Sequence, residues 1–486
     1  METSLEIAEK HKHKGDDVHI VNIALHLPFL EWLPDSGPET RARMKIRFKK
    51  YGEVVQKAGI PFHTNLMCGK EMLKSIVPEF ENLEALKKYK LDDIDIGMAV
   101  ASSLISNTCD DQSDVNSHRT LIENIYRSAL LVMDSFKAWH AHVKPDLVYI
   151  RNARTATNRP ILRICRKNNY NILIHERAGV LSRYTINPNY FHDRHMQLQL
   201  MNKHWNDSPL SEMEKETIGA SFFEQRMRGK NEGYVFIGNQ KKESLPDNWD
   251  PNKRNITFFT GSITEFAAID EENLPDLIFK SQMDAIEQIA RFLSDKPEFR
   301  FYVRLHPNTS LSYRHEYERW LKFAEANKEI IHFIDGKSSV DTYALVQNSE
   351  KVIAHMSTVG IEAVYLGKPS IIVGNSYYFR LGANYVPQNE AELFTLITKE
   401  NLAPKDKKAA LIYGFYWQTY GENYEFYSPE NIYIGSYKGL NFHHIEFGDT
   451  LNRQINKEII RKLLKKEGLV NTTKHIAKTV VKKLIK

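Results

Sequence analysis

Long hydrophobic runs are missing from this 486-residue chain; no apolar stretch approaches the roughly 20 residues that cross a bilayer. The opening METSLEIAEKHKHKGDD has no apolar core of the kind a signal peptide carries. Cysteine is scarce, and Cys68, Cys109 and Cys165 show neither zinc-site spacing nor the density of a disulfide scaffold. The HKHK run near the start offers at most a weak metal site and is read as disordered charge. Internal repeats and sustained heptads are lacking too, which excludes solenoids and long coiled coils. No recognition-helix, zinc-finger or RNA-binding motif occurs, so nucleic acid is not an expected partner.

Net charge is small and unevenly placed. The whole chain carries +5, yet residues 457–486 hold ten Lys or Arg against two Glu, a local +8 that leaves −3 for everything before them. In NTTKHIAKTVVKKLIK, Ile476, Val480, Val481, Leu484 and Ile485 fall on one helical stripe, with Lys474, Lys478, Lys482, Lys483 and Lys486 elsewhere. Such a helix is predicted to lie on an anionic leaflet; packing against the protein is the alternative. The expected location is cytoplasmic, peripheral on the inner face of a plasma membrane.

A chain of this length exceeds one hydrophobic core, and strands alternating with helices in both halves predict two α/β domains. The first, residues 1–250, opens with the strand DDVHIVNI and the charged helix ETRARMKIRFKKYGEVVQKAG. IDIGMAVASSLI reads equally as strand or helix. Pro, Asn, Gly and charge mark an interdomain crossing from Asn187 to about Asn255. Residues 251–400 are predicted to form a doubly wound unit of parallel strands, 401–456 an aromatic-rich segment that covers it or crosses back, and 457–486 the basic tail.

Two segments of the second domain carry the chemistry. FRFYVRLHPNTS reads as a buried strand delivering Arg304, His306 and Pro307 at its C-terminal edge, with the direction of Arg304 open. His306 can donate an imidazole hydrogen bond to a phosphate, and Pro307 stiffens the turn. In KVIAHMSTVGIEAVYLGKPSIIVG a short strand precedes Ser357 and Thr358, one of which caps the next helix where an anion is favoured. Glu362, one turn on, is placed to accept ribose hydroxyls; Gly360 relieves crowding and Gly367 closes the helix. Thr260, Gly261 and Ser262, after the strand ITFF, face the same place. Open α/β sheets bind ligands at such strand ends.

The first domain holds a second polar set. In KPDLVYIRNARTATNRPILRICRKNNYNILIHERAG, a β-α-β unit puts Asn152, Arg154, Glu176 and Arg177 at two strand ends. The arginines suit an anionic donor or acceptor, and Glu176 can take a proton from an acceptor hydroxyl or orient an arginine. A structural ion pair of Glu176 with Arg154 or Arg177 remains the alternative. Asp134 and His140, on LVMDSFKAWHAHV, are better read as helix-surface or packing residues.

The RLHP and STVGIEAVYLGKPSI segments resemble the HP and Ser/Thr motifs of bacterial surface-polysaccharide transferases with the GT-B fold, in particular the capsule polysaccharide group that includes Kdo and sialic acid transferases. Residues 144–179 resemble the Asn-x-Arg loop and Glu-Arg strand end of capsule proteins, with Ala153 where relatives commonly have glycine. The resemblance implies two Rossmann-like domains facing a cleft. It also implies donor phosphate on His306 and Ser357 or Thr358, and ribose on Glu362.

The expected activity is glycosyl transfer from a nucleotide sugar to a capsule, O-antigen or other surface glycan, oligosaccharide or lipid-linked. A CMP-linked acidic sugar is the favoured donor, with UDP, GDP and CDP donors open. Inverting and retaining courses both fit. A DxD-like carboxylate pair beside a donor-side strand end is lacking, so a divalent metal or other cofactor is not expected. Transfer of a polyol phosphate from a CDP-polyol, and nucleotide binding without turnover by an assembly scaffold, are the other readings.

Overall fold

Alternating apolar runs and amphipathic stretches build two sheet-centred regions in the computed structural model, which describes residues 2–31, 38–230, 240–262, 268–269, 278–312, 314–432 and 434–441. The basic stretch 457–486 and its expected amphipathic helix lie outside the described residues. Strands β1 (Ile20–Val21) and β2 (Phe62–His63) form a short parallel pair. β3 (Val148–Arg151) and β4 (Ile172–Arg177) are parallel across the helix Arg159–Lys167, and β5 (Arg183–Asn187) returns antiparallel to β4.

The second region holds β6 (Arg254–Phe259), β7 (Phe299–Arg304), β8 (His332–Ile334), β9 (Lys351–Ala354) and β10 (Ser370–Ile372). All are parallel, in the order β10-β9-β6-β7-β8. Later, β11 (Glu422–Asn423) joins β5, while β12 (Tyr427–Pro429), β13 (Gly435–Tyr437) and β14 (Leu440–Asn441) make a small antiparallel sheet.

The five-stranded sheet is buried on both faces, which is why its strands read as nearly continuous apolar runs. Ile256, Phe258, Phe301, Val303, Ile353 and Ile371 belong to a core shared with the helix Gln282–Leu293. Phe259, Tyr302 and Val352, offset by one residue, pack with Leu345, Val346 and Ala363 on the other face. The chain moves outward from β6 to β7 and β8, then returns to β9 on the opposite side of β6. That reversal opens a crevice at the carboxyl ends of β6 and β9.

The N-terminal region is less regular. IDIGMAVASSLI lies in the helix Ile96–Thr108, whose buried Ile96, Val100, Leu104 and Ile105 pack with Ile122, Ile125 and Ala129 of the helix Arg119–Val143. The opening residues are not disordered charge: Glu2–His13 is a helix with Leu5, Ile7 and Ala8 buried. Its Ser4 Oγ lies 3.1 Å from His175 Nε2, and His11 Nε2 lies 2.9 Å from the Tyr149 hydroxyl. Apolar residues three apart outweigh the charge that follows them.

The crossing between the two sheets holds two helices. Asp193 caps Arg194–Asp207, accepting the Met196 N–H at 3.0 Å, and Ser211 with Glu214 forms a capping box on Glu212–Met227. The aromatic-rich helix Lys407–Thr419 packs against both, with Phe415 stacked on His204 and edge-on to Trp205. The chain then returns through β11 to the N-terminal sheet, so the aromatic segment both covers the crossing and leads back. Arg319, on the helix Arg314–Ala326, ties the regions together by bonding Asp110 at 2.6 Å and Asp111 at 2.7 Å.

Candidate functional site

The carboxyl ends of β6, β7 and β9 bring the expected donor-side residues together. The backbone N–H of His306 donates to Thr260 Oγ1 at 2.8 Å, tying the end of β7 to the end of β6. The ring Nδ1 accepts the Asn308 N–H at 3.2 Å, which leaves the ring proton on Nε2. Burial, then the Arg226 and Arg304 guanidiniums, push the imidazole down to about 4, so near neutral pH it is an uncharged donor. Pro307 opens the short helix Pro307–Ser312. Gln282 clamps Gly261 by accepting its N–H at 2.8 Å and donating to its carbonyl at 3.0 Å, and Ser262 follows directly.

Ser357 and Thr358 stand at the start of the helix Val359–Tyr365. Thr358 occupies the cap position, and Ser357 Oγ accepts the Val359 N–H at 3.3 Å. A side chain at Gly360 would lie 2.4 Å from the Tyr378 hydroxyl and 2.7 Å from Ile372, so glycine lets this helix sit close to the sheet. Gly367, at φ +73°, ends the helix in the left-handed conformation as expected.

Two donor-side residues hold protein groups. Arg304 is buried and donates to the carbonyls of Asp335 at 2.9 Å and Ser338 at 3.1 Å, shaping the loop after β8. Glu362 is also buried, with one carboxylate oxygen 2.8 Å from Arg226 Nε, while Arg226 Nη2 donates to Thr358 Oγ1 at 3.0 Å. Arg226 comes from the crossing helix, 136 residues from Glu362. Nothing local in its sequence marked it. It fixes the helix that carries Ser357 and Thr358.

On the N-terminal side the expected residues separate. Asn152 and Ala153 follow β3 at φ 61° and 66°, a left-handed pair that turns the chain sharply. The glycine-to-alanine departure is therefore accommodated with the left-handed backbone retained. Arg154 is thereby buried and donates to Ser102 Oγ at 3.2 Å. Glu176 instead accepts from Asn152 Nδ2 at 2.8 Å and lies 3.7 Å from Arg151 Nε. Arg177 turns outward to the Ile432 carbonyl at 2.6 Å. Asp134 is 4.0 Å from Lys137, and His140 stacks on Tyr170 at 3.6 Å, in line with surface and packing roles.

Arg154 has neighbours that the sequence did not single out. Burial, followed by the positive charge of Arg154 and Arg194, holds His192 well below its usual range. Arg194 reaches the end of β10, with Nε 2.9 Å from Asn375 Oδ1 and Nη2 2.7 Å from the Asn375 carbonyl. Its guanidinium lies 3.9 Å over the Tyr377 ring. On the other side, Glu31 Oε1 accepts from Ser103 Oγ at 2.6 Å. Burial pushes the Glu31 carboxyl up against the opposing pull of Ser103, Arg154 and Thr155. Cations from the N-terminal region and the crossing thus meet polar groups at the edge of the parallel sheet, with the Glu31 carboxyl beside Arg154.

Residues 273–427 match the family model described as capsule polysaccharide biosynthesis protein. Over this segment the chain is similar to capsule polysaccharide biosynthesis proteins. The matched stretch runs through β7 to β10 and includes His306, Ser357, Thr358 and Glu362. Among solved structures, the chain is similar to two transferases of Thermosulfurimonas dismutans KpsC. The beta Kdo 2,4 transferase is 13% identical, with 64% of this chain and 86% of that chain covered at a TM-score of 0.37. The beta Kdo 2,7 transferase is 11% identical, with 68% and 90% covered at 0.35. S. aureus MnaA, in a structure with UDP, is 13% identical, with 64% and 83% covered at 0.24. Likeness this distant carries no activity across. No curated protein matches the chain.

Proposed function

We propose that this protein is a glycosyltransferase that moves a sugar from a nucleotide-activated donor to a capsule or related surface glycan, with a CMP-linked acidic sugar as the favoured donor. The reading rests above all on the convergence of Thr260, His306, Ser357 and Thr358 at the reversal point of the five-stranded sheet, within or beside the matched family segment. His306 Nε2–H and the hydroxyls of Ser357 and Thr358 stabilise the departing nucleotide phosphate. Arg154 and Arg194, brought together around His192, favour an acidic group on the transferred sugar. These fixed cations supply the positive charge, so turnover is expected to survive chelation of divalent metal.

Two carboxyls stand on the acceptor side. Glu176 is engaged by Asn152 and Arg151, whereas Glu31 shares the surroundings of Arg154 and holds its proton more tightly than an ordinary carboxyl. Glu31 is therefore the better-placed base for the acceptor hydroxyl. No helix among the described residues is long and apolar enough to cross a membrane. The basic tail 457–486 holds the enzyme at an anionic inner-membrane surface beside a lipid-linked acceptor.

The decisive experiment incubates the full chain with CMP-, UDP- and GDP-linked sugars and a membrane glycan fraction. A glycosidic product from one donor class supports the reading; a phosphodiester product, or nucleotide binding without donor consumption, refutes it. For the tail, loss of vesicle sedimentation on removing residues 470–486 supports membrane attachment, and unchanged sedimentation rejects it.

A further inference from the structure

His355 directly follows β9, is 5% exposed, and among the described residues has a hydrogen-bond partner on neither ring nitrogen. It is also closely seated. A side chain at Gly374 would come within 2.5 Å of the His355 Cγ, so the bare backbone after β10 makes room for the ring. The parallel register pairs Phe259 with Ala354. One further step sets His355 beside Thr260, the residue whose hydroxyl receives the His306 N–H.

A buried polar group left unpaired forfeits the hydrogen bonds it made to water, whereas an apolar side chain of similar size avoids that cost. One strand away, Asn375 Nδ2 is also buried with no partner among the described residues, although its Oδ1 is held by Arg194. Among the described residues, His355 and Asn375 thus leave three polar atoms unpaired next to the crevice where an open α/β sheet takes its ligand.

We infer that His355 is a binding residue of the nucleotide site, pairing through its ring with a neutral hydroxyl of the nucleoside; this rests on the nucleotide-donor reading above. The chemistry distinguishes it from His306. His306 stands between arginines, in keeping with a phosphate, whereas burial alone pushes His355 down to about 4. A neutral imidazole offers one donor and one acceptor, which match a hydroxyl; a phosphate oxygen dianion only accepts. The Asn375 amide is a second donor for the same group or its neighbour.

The test compares wild type, His355→Leu and His355→Asn for thermal stability and for binding of CMP, UDP, GDP and inorganic phosphate. The Leu variant is expected to be as stable as wild type or more so without nucleotide, because it removes an unpaired polar group. Its dissociation constant for whichever nucleotide binds wild type is expected to rise about tenfold, with phosphate affinity unchanged. The Asn variant, which keeps a donor and an acceptor, is expected to fall between. Undiminished nucleotide affinity in a folded Leu or Asn variant overturns this inference alone. Absence of nucleotide binding by wild type removes the donor reading and the inference with it.

Discussion

The two sheets both gather polar groups at strand ends, but they do so by different means. In the five-stranded parallel sheet, each strand hands its next residues directly to the crevice, so neighbours in space are strand ends in sequence. In the mixed four-stranded sheet, a left-handed pair at Asn152 and Ala153 redirects the chain, and Arg154 acquires its surroundings from Glu31, Ser102 and His192. A regular doubly wound unit therefore advertises its site, whereas the smaller sheet assembles one from distant pieces.

The comparison is broken most forcefully at Arg226, the crossing residue that serves the regular sheet. Arg226→Met leaves the buried Glu362 carboxylate without its cation, and a loss of about 3–5 kcal/mol is expected by denaturant unfolding. A loss below about 1 kcal/mol means that Glu362 finds another partner and that the helix bearing Ser357 is not held from the crossing. On the N-terminal side, Glu31→Gln is expected to lower turnover about 100-fold, with much less effect from Glu176→Gln. The reverse ranking in a donor-consumption assay returns the base to the β4 strand end.

The contact between the regions is expected to depend on pH. Glu316 is buried beside Asp110, Asp111 and Arg319, with Trp320 Nε1 3.4 Å away; burial, then the negative charge of Asp111, pushes its carboxyl up to about 7. Unfolded, the group releases its proton near 4.5; folded, it holds it until about 7. Stability should therefore fall as pH rises between those values, by a few kcal/mol at most. Glu316→Gln should flatten that slope, and an unchanged slope in pH-dependent unfolding removes Glu316 as its source. The smallest effect belongs to Ala153→Gly. Relief of the left-handed alanine, about 1–2 kcal/mol, is offset by glycine's greater unfolded-state freedom, leaving stability within about 1 kcal/mol of wild type. A loss above about 2 kcal/mol shows that the buried methyl packs more strongly than the backbone is strained.

Legibility followed the same division. The order of strands and helices from β7 to β10, the cap position of Thr358, the crowding at Gly360 and the left-handed Gly367 were all readable because each depends on residues within a few positions. The β3–helix–β4 unit was readable for the same reason. The short extent of β1, the helix at the N-terminus and the helical state of IDIGMAVASSLI were not, since apolar pattern alone does not separate a buried helix from a buried strand. At the site, Arg304 and Glu362 were recognised as special but not as engaged by protein, because their partners lie 31 or more residues away. Arg194, Arg226 and Glu31 carry no local motif; only the folded crossing and the buried loop after β3 give them meaning.

The proposed function turns on nucleotide binding by the carboxyl edge of the parallel sheet through His306. Its most direct test is the thermal shift of wild type and His306→Ala with CMP, CDP, UDP, GDP, dTDP and ADP. Selective stabilisation of wild type by one nucleotide is expected, with its loss in a His306→Ala variant that still unfolds cooperatively. Equal stabilisation of both proteins would contradict the phosphate role of His306, and no stabilisation of wild type by any nucleotide would contradict the site itself.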